Sequence, residues 1–89
     1  MIVKIDKSFE KDVKNINSQS INKNLIKIIN EMETANKISD LSNLKKIQGT
    51  SNYYRIRIGD YRLGMIIIKT EIQLIRLLHR KDIYRYFPL

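Results

Sequence analysis

The chain has 89 residues, 43% apolar and 29% charged, enough for a single domain over 1–89 with one modest core. It has no cysteine and one histidine, so a disulfide framework and a thiolate metal site are excluded, and neither a metal nor a cofactor is expected. Seventeen basic against nine acidic residues give a net charge of +8, which favours a polyanionic partner or an acidic protein.

At the start, Met1 to Asp6 lacks the apolar region of a secretory signal, and no apolar run approaches the ~20 residues of a membrane span. A cytoplasmic protein without a membrane partner is expected. Val3 and Ile5 alternate with Lys4 and Asp6, which predicts a short first strand. Ser8 is the expected N-cap of a first helix, with Glu10 in its first turn and Phe9, Val13 and Ile16 as its apolar stripe. The polar stretch from Asn15 to Ser20 breaks that helix. Ile21, Leu25, Ile28, Ile29 and Met32 then recur at helical spacing, so the pair reads as a helical hairpin. Thr34 to Asn43 is irregular, and 45–49 is a candidate short edge strand.

From Tyr53 onward the pattern is β. Tyr54, Arg55, Ile56, Arg57 and Ile58 alternate with period two, and Gly59-Asp60 is a two-residue turn with glycine first. Closing the hairpin there sets Ile58 opposite Tyr61, Arg57 opposite Arg62, Ile56 opposite Leu63 and Arg55 opposite Gly64. Arg55, Arg57 and Arg62 therefore share one face. Like charges directly opposed across strands are destabilising, so Arg57 against Arg62 points to an anion between them, and phosphate is the natural candidate.

The strand from Tyr61 to Ile68 turns near Lys69-Thr70-Glu71 into another from Ile72 to Leu78. A two-residue loop there places Gln73, Ile75, Leu77 and His79 on the arginine face, and Ile72, Leu74 and Leu78 with the core. Arg76 would then face the helices, a conflict that either snorkelling at the sheet edge or a bulge resolves. The end, His79 to Leu89, loses the alternation and is expected to form a helical turn folded back over the sheet. The fold class is thus α+β: a strand, a helical hairpin and an antiparallel meander, closed by a short helical turn.

Arginine is confined to the second half. Residues 1–50 hold nine lysines and no arginine, whereas all six arginines lie between Arg55 and Arg85. A guanidinium fork binds phosphate in a planar, bidentate way that an ammonium cannot, so this partition looks chemical.

The order strand, two helices, then a meander with Tyr-Arg-Ile-Arg-Ile-Gly-Asp-Tyr-Arg at 54–62, closing on His-Arg-Lys-Asp-Ile-Tyr at 79–84, resembles the RelE/ParE toxin superfamily, specifically its RelE-like members. The resemblance spans essentially the whole chain. It implies the toxic half of a toxin–antitoxin pair, many of whose members cleave messenger RNA in the ribosomal A site without a metal, and it implies a cognate antitoxin partner. By motif, Arg55 and Arg57 match the two basic hairpin positions and orient the substrate phosphate. Arg62, Arg80 and Tyr84 match the family's catalytic positions: Arg62 for transition-state charge, Arg80 on the leaving-group side, Tyr84 for substrate positioning or proton abstraction.

One departure matters. The best-characterised relatives carry lysine at the two hairpin positions, whereas Arg55 and Arg57 cannot act as bases. His79, beside Arg80, is the alternative proton-transfer group. Two other functions share this scaffold: inhibition of DNA gyrase in the ParE manner, and a noncatalytic basic module that binds RNA or only its antitoxin.

Overall fold

The computed structural model describes residues 1–88. Strand β1 (Ile2–Ile5) leads into helix α1 (Lys7–Lys14) and helix α2 (Gln19–Thr34). A 3-10 turn at Ile38–Asp40 precedes β2 (Leu44–Lys46), β3 (Tyr53–Ile58), β4 (Tyr61–Ile68), β5 (Glu71–His79) and a short helix α3 (Ile83–Tyr86). The five strands form one sheet in the order β1-β5-β4-β3-β2, with β1 parallel to β5 and the other pairs antiparallel. The expected α+β architecture is present, with 44–46 as the edge strand.

The helical hairpin covers one face of the sheet. Phe9, Ile16, Ile21, Leu25 and Met32 bury against Ile56, Ile58, Leu63, Met65, Ile67, Ile72, Leu74 and Leu77. Removing such side chains from water contributes roughly 1.5–3 kcal/mol each, which makes this layer the main source of stability. Helix α2 begins on Ser18, whose hydroxyl accepts from the Ile21 amide at 3.4 Å. Helix α1 does not begin at Ser8 as expected. Asp6 is its N-cap, and the Ser8 hydroxyl lies 2.6 Å from the Ile75 carbonyl and 2.7 Å from Asp6 Oδ2. Ser8 is used to tie the helix to β5, a long-range role that local capping preference does not register.

The β3–β4 hairpin has the predicted register throughout, including Arg57 opposite Arg62. Gly59 adopts φ +57° in the turn, a left-handed conformation glycine adopts without strain. On β5 the outcome differs. The loop is the two-residue Lys69-Thr70, but a bulge at Gly64/Met65 leaves Ile75 as an extra residue on β5, so Gly64 faces Arg76 and Arg62 faces Leu78. A single inserted residue inverts every side chain beyond it. Leu77 therefore lies in the core and Leu78 on the arginine face, the reverse of the expectation. His79 pairs with Tyr61, itself opposite Ile58, and so lies on the helix side rather than with the arginines.

The bulge also resolves the conflict at Arg76. Strand β1 pairs only with 71–74 of β5, and beyond it α1 lies along the exposed edge. Asp12 of α1, almost fully buried, accepts from the Leu77 amide at 2.9 Å and from Arg76 Nε at 2.7 Å and Nη2 at 3.1 Å. The carboxylate thus serves as the missing strand partner. Its hydrogen bond to Arg76 raises that guanidinium above its ordinary value.

On the opposite face the terminal segment folds back as expected. Ile83 and Phe87 are buried, and the Phe87 ring sits 5.4 Å from that of Tyr53. Among the described residues no helix is long and apolar enough to cross a membrane.

Candidate functional site

Three elements build a basic surface on the face away from the helices. Strand β3 presents Arg55 and Arg57, β4 presents Arg62, and the segment after β5 brings Arg80 and Tyr84. The Arg80 amide donates to the Asp60 carbonyl at 2.7 Å, pinning the start of that segment to the tip of the hairpin. Ile83 and Phe87 anchor its other end, which leaves Tyr84 between them 57% exposed.

Arg62 is the centre of the group. Its Nη1 donates to the carbonyls of Gly59 at 3.0 Å and Tyr61 at 2.9 Å, so the guanidinium is folded onto the turn rather than free in solvent. Its pKa is held below the ordinary value, first by burial and then by the positive charges of Arg57, Arg55 and Arg80, with Tyr84 acting in the opposite sense. A cation destabilised by its neighbours becomes more stable when an anion enters among them. The register and this mutual influence bring Arg55, Arg57, Arg62, Arg80 and Tyr84 together.

A cleft of about 590 Å³ opens here, lined by Asn43, Lys45, Arg55, Arg57, Gly59 and Arg62. Its size falls within the roughly 300–1,000 Å³ common for ligand sites. Two of these residues, Asn43 and Lys45, were missed in the sequence. Lys45 stands directly opposite Arg55 on β2 and so shares the arginine face. The hint was the edge-strand pattern at 45–49. However, the long, irregular connection to β3 gave no turn from which to count the pairing.

His79 is apart from this group. Its ring meets Tyr61 edge-on with centroids 5.7 Å apart, and its Nδ1 accepts from the Lys81 amide at 3.2 Å. Among the described residues no group of three or more His, Asp or Glu side chains is placed to hold a metal ion.

With fold and cleft in place, comparison with known proteins identifies the class. Residues 3–84 match the family described as ParE toxin of type II toxin-antitoxin system, parDE, and the chain belongs to the RelE/ParE superfamily of toxins. Within that superfamily its similarity is to the RelE type. It is 45% identical over 89 residues to Toxin RelE3 of Methanocaldococcus jannaschii, covering 99% of this chain and all of that one.

The solved structures agree. The RelB-RelE antitoxin-toxin complex from Methanococcus jannaschii superposes with a TM-score of 0.81 at 42% identity, covering 96% of this chain and 99% of that one. The archaeal RelE-RelB complex from Pyrococcus horikoshii OT3 gives a TM-score of 0.71 at 22% identity over 92% and 97% of the two chains, a likeness of fold.

Proposed function

We propose that this toxin is a ribosome-dependent endoribonuclease that cleaves messenger RNA in the A site, acting in the cytoplasm as one domain spanning 1–89. The observation that carries the reading is the convergence of Arg55, Arg57 and Arg62 on one cleft, with Arg80 and Tyr84 near enough to act on the charge of Arg62. The ribose 2′-hydroxyl attacks the adjacent phosphorus, so the enzyme must orient the phosphate, neutralise the phosphorane and move two protons.

Arg55 and Arg57 grip the non-bridging oxygens from β3. Arg62, already held by two carbonyls, faces the same phosphate and takes up the charge that grows in the transition state. Arg80, on the same terminal segment as Tyr84, adds positive charge beside the attacking oxygen rather than on the leaving-group side, and Tyr84 positions the 2′-hydroxyl and accepts its proton. His79, on the helix side of the sheet, takes no part. An acidic RelB-like antitoxin is the expected partner, since the relatives of similar fold are described in such complexes and the surface it would cover is strongly basic.

Inducing the chain in bacteria and mapping the 5′ ends of cellular messages tests this. Translation-dependent cuts at codon-defined positions are expected, and they should vanish with Arg62→Ala or Tyr84→Ala. Intact messages together with loss of DNA supercoiling would overturn it in favour of gyrase inhibition, the reading suggested by the parDE description of the matching family.

A further inference from the structure

We propose that Lys45 is the proton donor to the departing 5′ oxygen in the cleavage reaction, an inference that rests on the nuclease reading above. The four arginines supply charge but are poor proton donors, because a guanidinium scarcely releases its proton under any physiological condition. Every step from 2′-hydroxyl to 5′-hydroxyl nevertheless requires a proton to reach the leaving alkoxide. Among the residues lining the cleft, Lys45 alone combines a positive charge with a proton it can surrender. An alkylammonium is protonated at neutral pH and is a far stronger acid than an alcohol, so it serves as a donor without any special tuning.

Its placement suits the role. Lys45 is opposite Arg55 at the β2 rim of the cleft, with β3 and β4 between it and the terminal segment that holds Tyr84. Neighbouring strands are roughly 4.8 Å apart, so β2 and β4 stand about 10 Å from each other. In-line displacement at phosphorus puts the attacking and leaving oxygens on opposite apices. Lys45 on the β2 side and Tyr84 on the terminal segment, with Arg55, Arg57 and Arg62 on the strands between them, suit that arrangement.

The step balances. The 2′ oxygen forms a bond to phosphorus as its proton passes to Tyr84 Oη, which gives its own proton to solvent. The bond from phosphorus to the 5′ oxygen breaks, its electron pair stays on that oxygen, and a proton from Lys45 Nζ completes the 5′-hydroxyl. The products are a 2′,3′-cyclic phosphate and a 5′-hydroxyl end, and solvent returns both side chains to their starting states.

Single-turnover cleavage on programmed ribosomes tests the assignment, using a message with the ordinary 5′ oxygen at the scissile linkage and one with sulfur there. A thiolate leaves without protonation, because a thiol is already a good acid. Lys45→Arg, which keeps the charge, and Lys45→Ala should each slow the oxygen message by about 10²–10⁴-fold. On the sulfur message both should cut within a few-fold of the unaltered protein, and half-saturation should be unchanged for Lys45→Arg. Lys45 is exposed, so an unaltered thermal transition serves as the folding control.

Wild-type rates for Lys45→Arg on the oxygen message would overturn the assignment, as would defects of equal size on both messages. If the unaltered protein cuts neither message, the nuclease reading itself falls, and this proposal falls with it.

Discussion

Phe87 lies flat against Gly64: a Cβ built on that glycine would stand 2.6 Å from the ring's Cδ2 and 2.9 Å from its Cγ. The absence of a side chain in mid-strand, ordinarily a weakness, is what lets the terminal segment dock on the arginine face. Strand, bulge and terminal helix are thereby linked, since Gly64 is also where the register slips and is opposite both Arg55 and Arg76.

Gly64→Ala is therefore expected to lift the ring and loosen α3. Overpacking of this kind costs about 1–3 kcal/mol, and for a chain of this size each kcal/mol lowers Tm by roughly 4–8 °C. Because Tyr84 is held between Ile83 and Phe87, growth arrest should weaken more than the Tm loss alone explains. Thermal denaturation alongside a toxicity assay checks both. An unchanged Tm would mean that the ring is not seated as described.

The Asp12–Arg76 pair makes a second prediction. Asp12→Ala removes the partner of Arg76 and also strands the Leu77 amide, so a loss of about 2–4 kcal/mol is expected. Arg76→Met removes only one of these links and keeps the aliphatic stem, so it should cost less. A double-mutant cycle on urea denaturation should give a coupling of about 1–3 kcal/mol.

His79→Ala is expected to leave message cleavage within a few-fold of the unaltered protein. The side chain meets Tyr61 on the helix side, and an aromatic contact of that kind contributes roughly 0.5–1.5 kcal/mol. The same cleavage assay measured beside Arg62→Ala decides it: a loss comparable to that of Arg62→Ala would return His79 to the chemistry.

These cases separate what the sequence could and could not reveal. The hairpin carrying Arg55, Arg57 and Arg62 was legible because two local signals, period-two alternation and a glycine-first turn, determine every pairing across it. The helical hairpin was legible because Ile21, Leu25 and Met32 recur at the helical period. The position of His79 was not, because a bulge changes register without changing composition. Its one trace was Arg76, a charge that an unbulged strand would have turned into the core. The Asp12 contact depends on a pairing more than sixty residues apart, which no local pattern encodes, and the pairing of Lys45 with Arg55 crosses a connection without a turn signal.

The site carries a cost for the folded protein. Arg57 and Arg62 face each other directly across β3 and β4, and no carboxylate is paired with either among the described ion pairs. Arg57→Gln should therefore stabilise the free toxin while impairing its activity. At low ionic strength Tm should rise by roughly 2 °C, a modest value because the side chain is exposed and solvent screens it. Near 1 M salt, where the Debye length is about 3 Å, the difference should vanish. The same substitution should lower the salt dependence of single-stranded RNA binding by about 0.7 in the slope of log K against log salt, the share of one phosphate contact. A lower Tm at every salt concentration would show that Arg57 supports the fold, and the opposed arginines would then no longer mark an anion site.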